Sequence, residues 1–219
     1  MQAGRYNGAY YYSQEICRNI IPYVQTDRNW VTINIPGTAK SHSIVFIHNN
    51  IEPRIYDWMK AYKDLVLVCG IPETTTKVAH LGTAIYLPLS VDVEEVKQYR
   101  VAEKTKDTAF AGRPAKRHGL DIGDADILEG MPRPKLLEEM AKYRNIYAVG
   151  RTAIEAKVLG CNILPYDPRF PDPKRWKVYD NKQCAKLLQK ELDEIDWRYS
   201  NAKGGTSKQP GKSIEGASI

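Results

Sequence analysis

Apolar positions along the chain fall into short blocks set between helical patterns. Ser43–Ile47 (SIVFI) and Leu65–Cys69 (LVLVC) are continuous apolar runs, which predict strands buried on both faces, as in a parallel sheet. Trp30 to Ile35 alternates, is rich in β-branched residues and closes on Pro36-Gly37, and predicts a further strand. Ala84 to Leu87 predicts a fourth. Pro53 to Tyr62 and Thr74 to His80 predict the helices between them, the first with proline at its start. Upstream, Tyr12, Ile16, Ile20 and Ile21 recur at helical spacing behind a glycine-bearing loop.

The charged stretch Val93 to Lys106 predicts a helix that crosses to a second half. There the alternation resumes. A strand ends at Gly112, Ala125 to Leu128 predicts another, and Pro134 to Tyr143 a helix. Ile146 to Val149, Thr152 to Leu159 and Ile163-Leu164 then read as strand, helix and strand. Asn181 to Ile195 predicts a closing amphipathic helix with Leu187, Leu188 and Leu192 on one face. Strands alternating with helices predict an α/β fold. The expected units are two small Rossmann-like domains facing a cleft, at residues 1–90 and 91–199, with a disordered tail at 200–219 that is poor in large apolar residues.

Composition narrows this picture modestly. The 219 residues are 42% hydrophobic, enough for a core. No run has the length and apolarity of a membrane span, and the N-terminus has no apolar signal core. Four cysteines lie far apart without metal-ligand spacing, and Cys69 and Cys161 sit in apolar runs, so buried free thiols and a cytoplasmic setting are expected. The formal net charge of +6 permits acidic ligands, from nucleotides to nucleic acid.

The candidate chemistry lies at strand ends. In Tyr143 to Asp167 (YRNIYAVGRTAIEAKVLGCNILPYD), Gly150, Arg151 and Thr152 stand where a strand turns into a helix. Backbone N–H groups at such a turn suit an anion, and Arg151 adds a positive charge. Glu155 follows, a carboxylate able to accept from sugar hydroxyls. Thr152-Ala-Ile-Glu155 also has the pattern of a capping box. His48 and Asn49 follow the apolar strand Ser43–Ile47, where open α/β sheets bind ligands, and a histidine there could be a base or a structural hydrogen bonder. Between Arg100 and Arg117 six basic residues face two acidic ones. They could clamp a diphosphate or form a solvated loop. Neither glycine turn has the G-x-G-x-x-G pattern of a nicotinamide enzyme. Asp124-Ala-Asp126 has metal-motif spacing but precedes its apolar residues, so metal-independent chemistry is expected.

Taken in order, these motifs resemble the two-Rossmann-domain (GT-B) glycosyltransferases over most of residues 4 to 195, although no strand precedes the first glycine loop. Asn7-Gly8-Ala9 resembles the acceptor-side glycine loop, and Pro88 to Asp92 the signature between domains. Phe110-Ala-Gly112-Arg113-Pro-Ala-Lys116 resembles the turn that holds the donor diphosphate. Thr152 to Cys161 resembles the donor helix whose glutamate binds ribose hydroxyls. The resemblance implies a sugar moved from a nucleotide-diphosphate sugar, with uridine diphosphate first among the donors, to an acceptor hydroxyl on modified DNA or a glycan. Donor contacts would come from Gly112, Arg113, Lys116, Gly150, Arg151, Thr152 and Glu155. Acceptor contacts would come from Asn7, Gly8, His48 and Asn49, with His48, Arg113 and Lys116 in the catalytic roles. Tyr147 stands eight positions before Glu155, where many retaining members carry an acid. A non-catalytic nucleotide-binding module of the same fold is the alternative. A homo-oligomer is compatible with either.

Overall fold

The computed structural model describes residues 8–32, 40–47, 57, 59–112 and 121–202, with residues 8–12 as backbone only. Its α-helices among these residues are α1 (Gly8–Asn19), α2 (Pro72–Val78), α3 (Val93–Lys97), α4 (Arg133–Met140), α5 (Arg151–Val158) and α6 (Asn181–Ala202). They pack around two four-stranded sheets, each wholly parallel.

The continuous apolar runs become the central strands of the first sheet. β2 (Ser43–Ile47) and β3 (Leu65–Cys69) are buried at every position. β1 (Asn29–Val31) and β4 (Thr83–Tyr86) flank them, in the order β1-β2-β3-β4. Each step across this sheet goes the same way, so right-handed crossovers fall on one face. That face packs Val45, Ile47, Leu65, Leu67 and Cys69 against Met59 and against Val78 of α2. The opposite face must be covered from outside the run of crossovers. α1 brings Ile16 to it, the turn after α1 brings Ile20, and α6 brings Cys184, Ala185, Leu188, Leu192 and Ile195, all against Ile44, Phe46, Val66 and Val68. The closing helix, expected with residues 91–199, therefore seals the sheet built from the first ninety residues.

The second sheet contains β5 (Lys106–Ala111), β6 (Asp126–Leu128), β7 (Tyr143–Tyr147) and β8 (Asn162–Leu164), in the order β6-β5-β7-β8. The chain leaves β5 toward β6 and leaves β7 toward β8. Between the carboxyl ends of β5 and β7 the connections part, which is the topological position where open α/β sheets bind ligands. Helices α3, α4 and α5 supply Val96, Leu137, Met140, Ile154 and Val158 to one core with Ala109, Ala111 and Ile146. The chain passes between the sheets twice, and the passages run side by side. The Val91 N–H donates to Tyr179 O and the Asn181 N–H to Val91 O, both at 3.2 Å, around the parallel bridge Val91↔Asp180.

Several expected elements are corrected. The helix expected over Val93 to Lys106 stops at Lys97. Beyond it Arg100 Nε donates to Val158 O at 2.5 Å, and Lys104 Nζ donates to Ala141 O and Leu159 O at 2.8 Å. These carbonyls end α4 and α5 and lack partners within their helices. A helix continuing to Lys106 would turn the two cations away from them. β1 ends at Val31 rather than Ile35, and residues 33–39 lie outside the described part. Only residues 57 and 59–62 of the helix expected at Pro53–Tyr62 are described, and 59–61 form a 3-10 turn. Leu187, placed by periodicity with Leu188 and Leu192, is 40% exposed, and Ala185 takes the inward position instead. Helix α6 runs to Ala202, past the expected start of the tail, and residues 203–219 lie outside the described part. Cys69, Cys161 and Cys184 are buried free thiols, and burial pushes the thiols of Cys69 and Cys184 up to about 11.

The amino ends of the first sheet carry a titrating cluster. Buried Arg28 pairs with Asp64 at 2.8 Å and with Asp196 of α6 at 2.9 Å. His42 Nδ1 lies 2.5 Å from Asp64 Oδ2, and Nε2 lies 2.9 Å from Asp27 Oδ1. Hydrogen bonding to Asp64 and then to Asp27 raises the His42 pKa. A raised folded pKa gives stability that is complete below the ordinary histidine value of about 6.5 and lost as pH rises through the folded value. The urea midpoint of the protein is therefore expected to fall as the pH rises above about 6.5, and to fall less in His42→Gln. Equal slopes in the two proteins would rule out His42 as the source.

Candidate functional site

Three neighbouring strand ends of the second sheet build the site. β7 ends at Tyr147, and Gly150 turns the chain into α5 with φ 65° and ψ −139°. A side chain there would be strained, so glycine suits the turn. The Gly150 carbonyl accepts the Ile154 N–H at 3.2 Å and starts the helix. The expected capping box does not form. Gly150 rather than Thr152 is the N-cap, no side chain caps the helix, and Thr152 is its second residue. Glu155 turns instead to two guanidinium groups. β5 ends at Ala111, and a Cβ on the following Gly112 would lie 2.7 Å from Phe110 Cζ and 3.3 Å from Tyr166 Oη. That residue must be small to pass the edge-on Phe110–Tyr166 pair, whose ring centroids lie 5.1 Å apart. β6 ends at Leu128, and Arg133 opens α4 shortly after.

The charged side chains meet in a network that is buried except at Glu95, whose side chain is 42% exposed. Arg133 Nε donates to Glu155 Oε1 at 2.9 Å, and Arg151 Nη2 lies 3.1 Å from the same oxygen. Arg133 Nη1 donates to both carboxylate oxygens of Glu95, at 2.8 and 3.0 Å. From the first sheet's side, α1 contributes Glu15. Its Oε1 accepts from Arg151 Nη2 and stands 3.2 Å from Arg133 Nη2, and its Oε2 accepts from Asn181 Nδ2 at 3.2 Å. Glu15 is 7% exposed, Glu155 4% and Asn181 2%. Burial alone would lower the Arg133 pKa, but Glu155 and Glu95 more than offset this and raise it. Three carboxylates face two guanidiniums, so the ionised network is one negative charge in excess. Three of its buried atoms, Arg133 Nη2, Arg151 Nε and Asn181 Oδ1, have no hydrogen-bond partner among the described residues.

Of the residues singled out from sequence, Arg151 and Glu155 meet here, beside Gly150 and Thr152 and next to the β5 end that carries Gly112. Gly8 is the first residue of α1. Asn7, His48, Asn49, Arg113 and Lys116 lie outside the described residues. Within the basic stretch Arg100 and Lys104 hold helix-end carbonyls and Lys106 Nζ donates to Tyr143 Oη at 2.9 Å. Tyr147 is half-buried and sits in register between Phe110 and Leu164. Sequence reasoning missed Glu15, Glu95, Arg133 and Asn181. Arg133 had a signal, since it follows a predicted strand and opens a helix as Arg151 does. Glu15 had none.

The seam between the sheets also holds a cavity of about 130 Å³, lined by Gly70, Tyr86, Pro88, Ile154, Arg175 and Trp176 among others. Arg175 crosses this seam to Glu73, with Nη1 2.8 Å from Oε1. Among the described residues no three of His, Cys, Asp and Glu converge to hold a metal ion, and no helix is long and apolar enough to cross a membrane. Compared with known proteins, the chain matches no family model, no curated sequence and no solved structure.

Proposed function

We propose that the chain binds a nucleoside-diphosphate sugar at the carboxyl ends of β5 and β7 and transfers the sugar to an acceptor hydroxyl. The observation that supports this most is the direction switch of the second sheet, which brings Gly112, Gly150, Arg151 and Glu155 to the carboxyl ends of the neighbouring strands β5 and β7. In this scheme Arg151 and the turn at Gly150 meet the diphosphate. Glu155 accepts a ribose hydroxyl through Oε2, since both of its cation contacts fall on Oε1. As the sugar–phosphate bond breaks, charge builds on the leaving diphosphate and the cations stabilise it. Arg113, Lys116 and His48 keep the roles given by the sequence resemblance, and the acceptor is a DNA base or a glycan. A homo-oligomer is compatible with this scheme.

A second reading, nucleotide binding without transfer, is favoured by one observation: Arg151 and Glu155 already have partners in the ion network. Two measurements separate the readings. Calorimetric titration of uridine and guanosine diphosphates should show binding that weakens at least tenfold in Glu155→Gln, the loss of one charge-assisted hydrogen bond of about 1.5–3 kcal/mol. Release of the free diphosphate from a panel of nucleotide sugars should accompany binding if transfer or its hydrolytic side reaction occurs. Binding without release favours the second reading. No binding of either diphosphate removes both.

A further inference from the structure

Glu15 carries an inference that rests on the nucleotide reading but can fail separately from it. Its carboxylate oxygen Oε1 lies between Arg151 Nη2 and Arg133 Nη2. Two guanidiniums converging on one anionic oxygen is how phosphates are held, because the planar forks present several donors at once. The fit is also incomplete. Arg151 Nε is buried without a hydrogen-bond partner, as is the acceptor Asn181 Oδ1, and Arg133 Nη2 stands 3.2 Å from Glu15 Oε1 without making a hydrogen bond to it. Buried polar groups left in this way call for an explanation. A carboxylate has two oxygens, and Glu15 spends one of them on Asn181. A diphosphate has more oxygens to offer and could pair both guanidinium N–H groups.

We propose that Arg133 and Arg151 form a diphosphate site that Glu15 of α1 occupies as an internal anion until the ligand displaces it. Arg133 thereby becomes a ligand-binding residue, brought in from the end of β6. Glu15 becomes a latch, since it is the anion that ties α1, and with it the first sheet, to the second. Charge points the same way. With Glu15 in place the network has three carboxylates to two guanidiniums. With its carboxylate swung out the cations are balanced by Glu95 and Glu155 alone, so an incoming anion meets less repulsion. Displacement also frees α1 from α5.

The test is calorimetric titration of inorganic pyrophosphate and, separately, uridine diphosphate into the full chain and three variants: Glu15→Gln, Glu15→Asp and Glu95→Gln. Circular dichroism and thermal melts confirm that each is folded. Glu15→Gln should bind pyrophosphate about tenfold more tightly than the unmodified chain, equal to about 1.4 kcal/mol. Glu15→Asp, with a shorter reach, should lie between the two and serves if the glutamine variant does not fold. Glu95→Gln removes an equal charge from Arg133 without clearing the site. If it tightens binding as much as Glu15→Gln, the effect is general charge and the proposal is overturned. Unchanged or weaker pyrophosphate binding in folded Glu15 variants overturns it as well. Tightened pyrophosphate binding with no binding of uridine or guanosine diphosphate supports the anion site and removes the nucleotide reading. Uridine diphosphate binding that is equal in all variants does the reverse.

Discussion

Arg133→Ala is expected to destabilise the chain by about 3–5 kcal/mol, because it breaks a buried ion network on one side only. Glu155 and Glu15 would remain buried with one cation, Arg151, between them, and Glu95 would lose its bidentate partner. The side chain of Arg133 is 12% exposed, so water compensates little. Urea denaturation at neutral pH measures the loss. Adding Glu155→Gln should return part of it, since that change removes one of the stranded charges. A loss below about 1 kcal/mol, the range of surface pairs, would mean that water reaches the network.

Leu188→Ala is expected to cost about 2–5 kcal/mol, the range for emptying a buried leucine site. Leu188 is fully buried in the core that α6 shares with Ile44, Phe46, Val66 and Val68. Its neighbour Leu187 is the control: it is 40% exposed, and Leu187→Ala should stay within about 0.5 kcal/mol. Denaturation followed by urea should show the contrast. Similar losses for both would mean that α6 does not seat Leu188 against the first sheet.

The contrast between these two leucines shows where the sequence was legible. Continuous apolar runs such as Ile44–Ile47 and Leu65–Cys69 announce buried parallel strands, because a strand covered on both faces has no solvent side to fill with polar residues. The glycine turns at Gly112 and Gly150 were also visible, since each breaks an apolar run ahead of a cation. Periodicity identified α6 as amphipathic but mistook the centre of its apolar stripe, because Leu187 outweighs Ala185 in hydrophobicity while Ala185 faces inward. It could not say which sheet the helix covers, as either would bury the same face. The ion network was harder still. Glu15 and Arg151 are 136 positions apart, and nothing local marks one for the other. Glu155 was legible as a ribose acceptor or as half of a capping box, but not as the partner of Arg133, because local patterns assign partners nearby and Arg133 comes from another element.

The placement of α6 has a consequence for how the protein is made. Chains leave the ribosome from the amino end, at about 5–20 residues per second, and domains ordinarily fold in that order. Here the strands of the first sheet emerge early, yet one face of that sheet is closed by Leu188, Leu192 and Ile195. Until the last segment is synthesised, Ile44, Phe46, Val66 and Val68 are covered from one side by α1 alone. The nascent chain must carry that sticky surface while residues 91–180 are translated and fold. The half made first is the half finished last, and truncations that stop short of α6 should expose the first sheet rather than release it as an independent unit.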